Sequence, residues 1–80
     1  MAEPSLLIVD DDRELTEMLA EYLGTEGFRT DVAADGARAL ERIAEARFDL
    51  LILDVMLPDV NGFDVLRRVR QSLATPVIML

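Results

Sequence analysis

The strongest constraint on the fold is an alternation of short apolar runs with segments of helical periodicity. Continuous apolar runs occupy residues 6–9, 50–53 and 77–80, and a half-polar alternating segment occupies residues 28–33. Segments of this kind are typical of strands. Apolar residues at helical spacing follow the segments at residues 6–9, 28–33 and 50–53. Strand-helix repeated three times and then a strand predicts an α/β protein with parallel strands joined by helical crossovers.

Three helices are predicted from apolar side chains at helical spacing. The expected buried positions, from the first helix to the third, are Leu15, Met18, Leu19, Tyr22, Leu23; Leu40, Ile43, Ala44; and Phe63, Leu66, Val69. Asp10 or Asp11 is expected to cap the first helix, because an aspartate side chain can accept a bond from an unpaired N–H in the first turn. The Asp35-Gly36 pair is expected to begin the second helix.

The strand compositions predict the order of the sheet. The wholly apolar strands at residues 6–9 and 50–53 suit central positions, and the half-polar strand at residues 28–33 suits an edge. The simplest consistent order is 2-1-3-4. The apolar run at residues 77–80 then lies at an open edge, so we expect the chain to be a fragment or a partner to complete the sheet.

The composition argues against several partners and chemistries. The 80 residues carry a formal net charge of −8, whereas binding to nucleic acid or to an anionic membrane surface requires a basic face. The chain has no cysteine, histidine or lysine, so it offers no thiolate, imidazole or amine nucleophile. No apolar run reaches the roughly 20 residues of a membrane span, and no signal peptide is recognisable. We therefore expect a cytoplasmic protein whose residues contact neither nucleic acid nor membrane.

Three aspartates follow two of the buried strands. Asp10 and Asp11 come after the first strand, and Asp54 comes after the third. Ligands of an open parallel sheet bind beyond the carboxyl ends where the strand order reverses, which here lies between strands 1 and 3. Carboxylates brought this close repel one another, and an all-oxygen ligand set suits Mg²⁺ or Mn²⁺. A plainer interpretation is that Asp10, Asp11 and Asp12 merely cap a helix and that Asp54 merely ends a strand.

Three motifs together resemble the receiver domain of two-component response regulators. They are residues 6–12 (Leu-Leu-Ile-Val-Asp-Asp-Asp), residues 53–58 (Leu-Asp-Val-Met-Leu-Pro) and Asn61-Gly62. The resemblance covers essentially the whole chain, and residues 51–80 are most similar to transcription regulators of the OmpR/PhoB type, with Cpx-type envelope-stress regulators nearest. It implies a flavodoxin-like doubly wound parallel sheet. Residues 1–80 are expected to hold the N-terminal part of that domain, with the fifth strand and the last helices absent.

The resemblance also implies a phosphoacceptor and a metal site. Asp54 would receive the phosphoryl group from the phosphohistidine of a sensor histidine kinase. Mg²⁺ would be bound by the side chains of Asp11 and Asp54, by Asp10 directly or through a water, and by the backbone carbonyl of Met56. The chain would then be a signalling domain and not an enzyme, and it would control a transcription-regulating output domain outside these residues.

Further features of the family are matched only in part. Pro58 and Gly62 are expected to shape the active-site loop, and the family admits a homodimer of the full-length protein. The family's switch Ser/Thr follows the fourth strand and its lysine ends the fifth, and neither has a counterpart in these residues. Thr75 precedes the fourth strand, so we expect it at the end of the sheet away from the aspartates.

Two alternative functions remain open on the sequence. A pseudo-receiver or interaction module would bind partners without being phosphorylated. A haloacid-dehalogenase-type phosphatase also has Asp-x-Asp after an apolar strand, which Asp10 and Asp12 match. That motif continues with Thr or Val where this chain has Glu14, and it gives Asp54 no role.

Overall fold

The fold alternates strands and helices in the predicted order. A computed structural model of the chain describes residues 3–80. The elements are β1 Ser5–Val9, α1 Arg13–Thr25, β2 Arg29–Ala33, α2 Gly36–Glu45, β3 Leu50–Leu53, α3 Gly62–Arg70 and β4 Val77–Met79. The predicted strands and helices are therefore confirmed.

The four strands form one parallel sheet in the order β2-β1-β3-β4, as predicted. The half-polar β2 lies at one edge, and β1 and β3, which are apolar except for Ser5, lie at the centre. Their register pairs Val9 with Leu53, so both central strands end level with each other. The short β4 forms the other edge, where Ile78 is half exposed. Thr75 lies before β4, away from the carboxyl ends of the strands.

The main core lies between the sheet and helices α2 and α3. Its buried members alternate along the central strands and continue into the helices: Leu7, Val9, Ala33, Ala39, Leu51, Leu53, Val65, Val69. The intervening β1 residues Leu6 and Ile8 point to the opposite face of the sheet and are also buried. Helix α1 contacts β1 and β2 there. Both faces of β1 are thus covered, which suits its apolar residues 6–9. On β3, Leu51 and Leu53 are buried, whereas Leu50 and Ile52 are only partly buried.

The start of α1 corrects one prediction. Asp12, rather than Asp10 or Asp11, caps the helix, and its side chain accepts the Leu15 N–H at 3.1 Å. The predicted buried face of α1 is only partly right. Leu15, Leu19 and Leu23 are partly buried as expected. Met18 and Tyr22 are more than half exposed, and Thr16 is buried and donates its hydroxyl to a backbone carbonyl one turn earlier.

Helices α2 and α3 begin at side-chain caps, Asp35 and Asn61 respectively. The predicted buried stripe of α3 is partly wrong. Phe63 is half exposed, and Val65 is buried together with Val69. In α2 the expected Ala44 is exposed and Ala39 is buried instead. Within residues 3–80, the helices are too short or too polar to span a bilayer.

Candidate metal and phosphoacceptor site

The pairing of β1 with β3 places two carboxylates side by side. Asp10 and Asp54 are the residues that follow the paired Val9 and Leu53. The Asp54 N–H donates to the Val9 carbonyl at 2.9 Å, and the Asp10 N–H donates to the Ala33 carbonyl of β2 at 3.1 Å. These bonds continue the sheet by one residue. The backbone of both aspartates is therefore held by the sheet.

Asp11 joins this pair at the carboxyl end of the sheet. One carboxylate oxygen from each of Asp10, Asp11 and Asp54 lies within 4.8 Å of the other two. Asp10 is buried, Asp54 is half-buried and Asp11 is exposed, so the cluster opens to solvent on one side. The structure therefore brings together the three side chains that the sequence selected. Three carboxylate oxygens at this spacing fit a small, hard divalent cation that also keeps water ligands.

Backbone N–H groups orient two of these carboxylates. The Asp12 N–H donates to Asp10 Oδ1 at 2.9 Å, and the Met56 N–H donates to Asp54 Oδ1 at 3.1 Å. A carboxylate has two oxygens, and a bond to one fixes the direction of the other. Both side chains are thus prepositioned by the residue two places further along the chain.

The cluster is electrostatically costly for Asp10. Burial raises the pKa of Asp10 above its ordinary value, and the neighbouring charges of Asp54, Asp11 and Asp12 raise it further. The hydrogen bond from the Asp12 N–H opposes this rise by stabilising the charged form. A bound cation would remove the repulsion that remains.

The loop between β3 and α3 forms one wall of the site. Met56 follows Asp54 closely, with its side chain largely exposed, and pairs with Asn61 in an antiparallel bridge. The Gly62 N–H donates to the Val55 carbonyl at 2.7 Å. A Cβ at Gly62 would meet the Asp54 carbonyl oxygen, so only glycine permits this approach.

Pro58 lies in the middle of this loop and is exposed, and its role in shaping the loop stays a prediction. Asp59 was not selected from the sequence, yet its carboxylate accepts the N–H groups of Gly36 and Ala37 from α2. Its partners are too distant in sequence for any local pattern to reveal them. Asp12 caps α1, so the Asp-x-Asp pair of the phosphatase alternative is not directed at one site.

Sequence comparison matches this chain to known signalling proteins. The family model of the response regulator receiver domain matches residues 6–80. The transcriptional regulatory protein CpxR of Escherichia coli (strain K12) is 55% identical over 75 residues, which are 94% of this chain and 32% of that protein. The DNA-binding response regulator MtrA of Mycobacterium leprae is 49% identical over 75 residues, 94% of this chain and 33% of that protein. The chain therefore spans about a third of the length of these curated relatives.

Solved structures agree with the sequence comparison. The chemotaxis response regulator CheY4 of Vibrio cholerae matches with a TM-score of 0.93 and 35% identity, over 96% of this chain and 67% of that one. The Francisella response regulator 1452 receiver domain matches with a TM-score of 0.91 and 34% identity, over 95% of this chain and 64% of that one. The relatives include regulators of the OmpR/PhoB and Cpx types that the motifs suggested. The chain belongs to the response regulator receiver domain family, which is a family of signalling domains.

Proposed function

We propose that this chain is the phosphoacceptor part of a two-component transcription regulator. Asp54 accepts a phosphoryl group from the phosphohistidine of a sensor histidine kinase, with Mg²⁺ as the cofactor. The observation that carries the proposal is the convergence of the Asp10, Asp11 and Asp54 oxygens at the carboxyl ends of β1 and β3. Helix capping accounts for Asp12, which caps α1, but it does not account for the convergence of these three carboxylates.

Each site residue has a separate task in this proposal. Asp11 and Asp54 bind the cation by their side chains, Asp10 holds the cation or one of its waters, and Met56 contributes its backbone carbonyl. When bound, Mg²⁺ neutralises charge on the acceptor and on the transferring phosphoryl group. Because the Met56 N–H already bonds to Asp54 Oδ1, we assign Oδ2 as the oxygen that attacks phosphorus.

The transfer is an in-line displacement at phosphorus. A bond forms between Asp54 Oδ2 and phosphorus while the bond from phosphorus to the kinase imidazole nitrogen breaks. The electron pair of the broken bond stays on that nitrogen. The product is an aspartyl phosphate whose oxygens lie beside Asp10 and Asp11, where a cation is needed to offset the repulsion.

The proposed partners follow from the site and the relatives. The donor is a sensor histidine kinase. The phosphoryl signal controls a transcription-regulating output domain, since CpxR is a transcriptional regulatory protein and MtrA is a DNA-binding response regulator. Nucleic acid would be contacted by that output domain rather than by these residues, whose net charge is −8. We further propose that the protein is cytoplasmic and that the full-length protein can form a homodimer.

Intact mass after incubation with acetyl phosphate and Mg²⁺ tests the acceptor assignment. We expect a mass increase of one phosphoryl group that Asp54→Asn abolishes and that a chelator prevents. Asp64→Asn is the matched control, because Asp64 is an exposed aspartate of α3 paired with Arg67, and it should label normally.

The labelling is measured on the 80-residue chain and on a form extended by the rest of a receiver domain. Labelling of Asp54→Asn at the wild-type level would show that another residue is the acceptor. No labelling of either form would favour the pseudo-receiver alternative, which binds partners without phosphorylation.

A further inference from the structure

The loop that carries the candidate metal site is attached to a second helix. The Asp59 carboxylate accepts the Gly36 N–H on Oδ1 at 2.8 Å and the Ala37 N–H on Oδ2 at 3.0 Å. The first N–H groups of a helix have no partner within the helix, and the helix dipole favours an anion there. Asp59 therefore binds the N-terminus of α2 with both oxygens, although it belongs to the β3–α3 loop.

Apolar packing reinforces this attachment. Val60 lies directly against Gly36, so closely that a Cβ at position 36 would overlap its side chain. Gly36 is buried and Val65 of α3 packs beside it. The loop thus meets α2 through a two-point polar contact and an adjoining apolar contact. The N–H groups of Gly36 and Ala37 also lower the pKa of Asp59, as expected for a carboxylate held in its charged form.

The attachment lies in the segment that forms the wall of the site. Upstream of Asp59, the Met56 N–H bonds to the Asp54 carboxylate. Downstream, Asn61 pairs with Met56 across the loop and caps α3. The loop is therefore fixed at both of its ends, and Asp59 provides the fixed point between them.

We propose that Asp59 is a positioning residue of the metal and phosphoacceptor site: by clamping the β3–α3 loop to the N-terminus of α2, it holds Met56 at its place beside Asp54. The inference rests on the proposed function, since it assigns Asp59 to the same site. Without the clamp the loop samples more conformations. Cation binding must then restrict the loop, and the lost conformational entropy weakens the binding.

A comparison of Asp59→Ala with Asp35→Ala separates positioning from helix stability. Asp35 caps the same helix, because its side chain accepts the Arg38 N–H at 2.7 Å. It is the residue directly before α2 and is not part of the β3–α3 loop. Both variants remove a carboxylate from the N-terminus of α2 and should lower the melting temperature. Only Asp59→Ala should also weaken Mg²⁺ binding, by about tenfold, the size typical of losing a group that orients a metal ligand.

Two readouts are used on the 80-residue chain, namely Mg²⁺ affinity by calorimetry and amide hydrogen exchange. Exchange of the Met56 and Gly62 amides should be faster in Asp59→Ala and unchanged in Asp35→Ala, because these amides report the loop directly. Asp59→Asn keeps one acceptor oxygen and should give intermediate values, which checks the result in a more conservative variant.

The possible failures are distinguishable. Equal Mg²⁺ affinity and equal loop exchange in the Asp59→Ala and Asp35→Ala variants would overturn the positioning role alone. No Mg²⁺ binding by the wild-type chain would contradict the proposed function, and loop exchange would then still decide whether Asp59 holds the loop.

Discussion

Asp10 shows most directly the conflict between function and stability in this molecule. It is buried beside Asp54 and Asp11, and its environment raises its pKa. A buried carboxylate that repels its neighbours destabilises the fold, unless a cation or a proton offsets the charge. This cost is understandable if Asp10 is part of a cation site, because proteins often retain destabilising residues that their function requires.

Replacing Asp10 by Asn should stabilise the metal-free chain. The change removes a buried charge and keeps the shape, so the free energy of unfolding should rise by on the order of 1 kcal/mol. Mg²⁺ binding should weaken in the same variant. Thermal unfolding with a chelator present, followed by Mg²⁺ calorimetry, measures both effects.

Asp12→Asn is the matched control for this variant. It makes the same change of charge next to the site, and asparagine caps a helix as well as aspartate does. We expect a much smaller rise in stability and retained Mg²⁺ binding. A lower melting temperature of metal-free Asp10→Asn would mean that this carboxylate is stabilising and would contradict the account.

The Asp59 carboxylate should have the opposite effect on stability, in a defined range of pH. Its pKa is lowered from the ordinary value of 3.8 in the folded chain. Stability from Asp59 is therefore fully present above that value and is lost as the pH falls through the lowered folded pKa. Asp59→Asn should lose less stability on acidification below 3.8. Urea unfolding at a series of pH values checks this, and parallel curves for the two proteins would count against it.

At the scale of elements, the β3–α3 connection limits which side chains can replace the residue that begins α3. Helix α3 begins so close to the end of β3 that its first residue, Gly62, touches the Asp54 backbone. This contact sets the path of the loop that includes Met56. The position of α3 and the geometry of the acceptor are therefore determined together.

Gly62→Ala should be strongly destabilising for this reason. Its Cβ would meet the Asp54 carbonyl oxygen and lie 2.9 Å from the Val55 Cα, and both are backbone atoms that cannot easily move. We expect a loss of about 2 kcal/mol in the free energy of unfolding. The control is Gly24→Ala in α1, where nothing lies within 4 Å of the new Cβ.

Gly24→Ala should raise stability by roughly 0.5–1 kcal/mol, because alanine favours the helix and restricts the unfolded chain. Chemical denaturation of both variants gives the comparison. Equal effects of the two substitutions would show that the approach of Gly62 to Asp54 is not tight.

The elements and their order were predictable because apolar periodicity is a local property of the sequence. The buried face of each helix was predictable only in part. In α3 the spacing correctly placed Val69 inward, but Val65 is buried with it and Phe63 is half exposed. Asp59 was missed for a related reason, since its partners Gly36 and Ala37 lie 23 and 22 positions away. Long-range contacts of this kind exist only once the elements are assembled.

At the scale of the whole molecule, the sheet gathers charge from distant parts of the chain. Asp10 and Asp54 are brought together only because β1 and β3 are neighbours that end level with each other. The net charge of −8 adds a field that attracts cations to the whole surface. Specific binding at the cluster must therefore be distinguished from general attraction.

A Mg²⁺ titration followed by ¹H–¹⁵N NMR makes that distinction. We expect saturable shifts centred on Asp10, Asp11, Asp54 and Met56. Asp11→Ala should remove these shifts, and Na⁺ at matched ionic strength should not reproduce them. Shifts that stay linear in Mg²⁺, that spread over the acidic surface, or that persist in Asp11→Ala would contradict a single site formed by these residues.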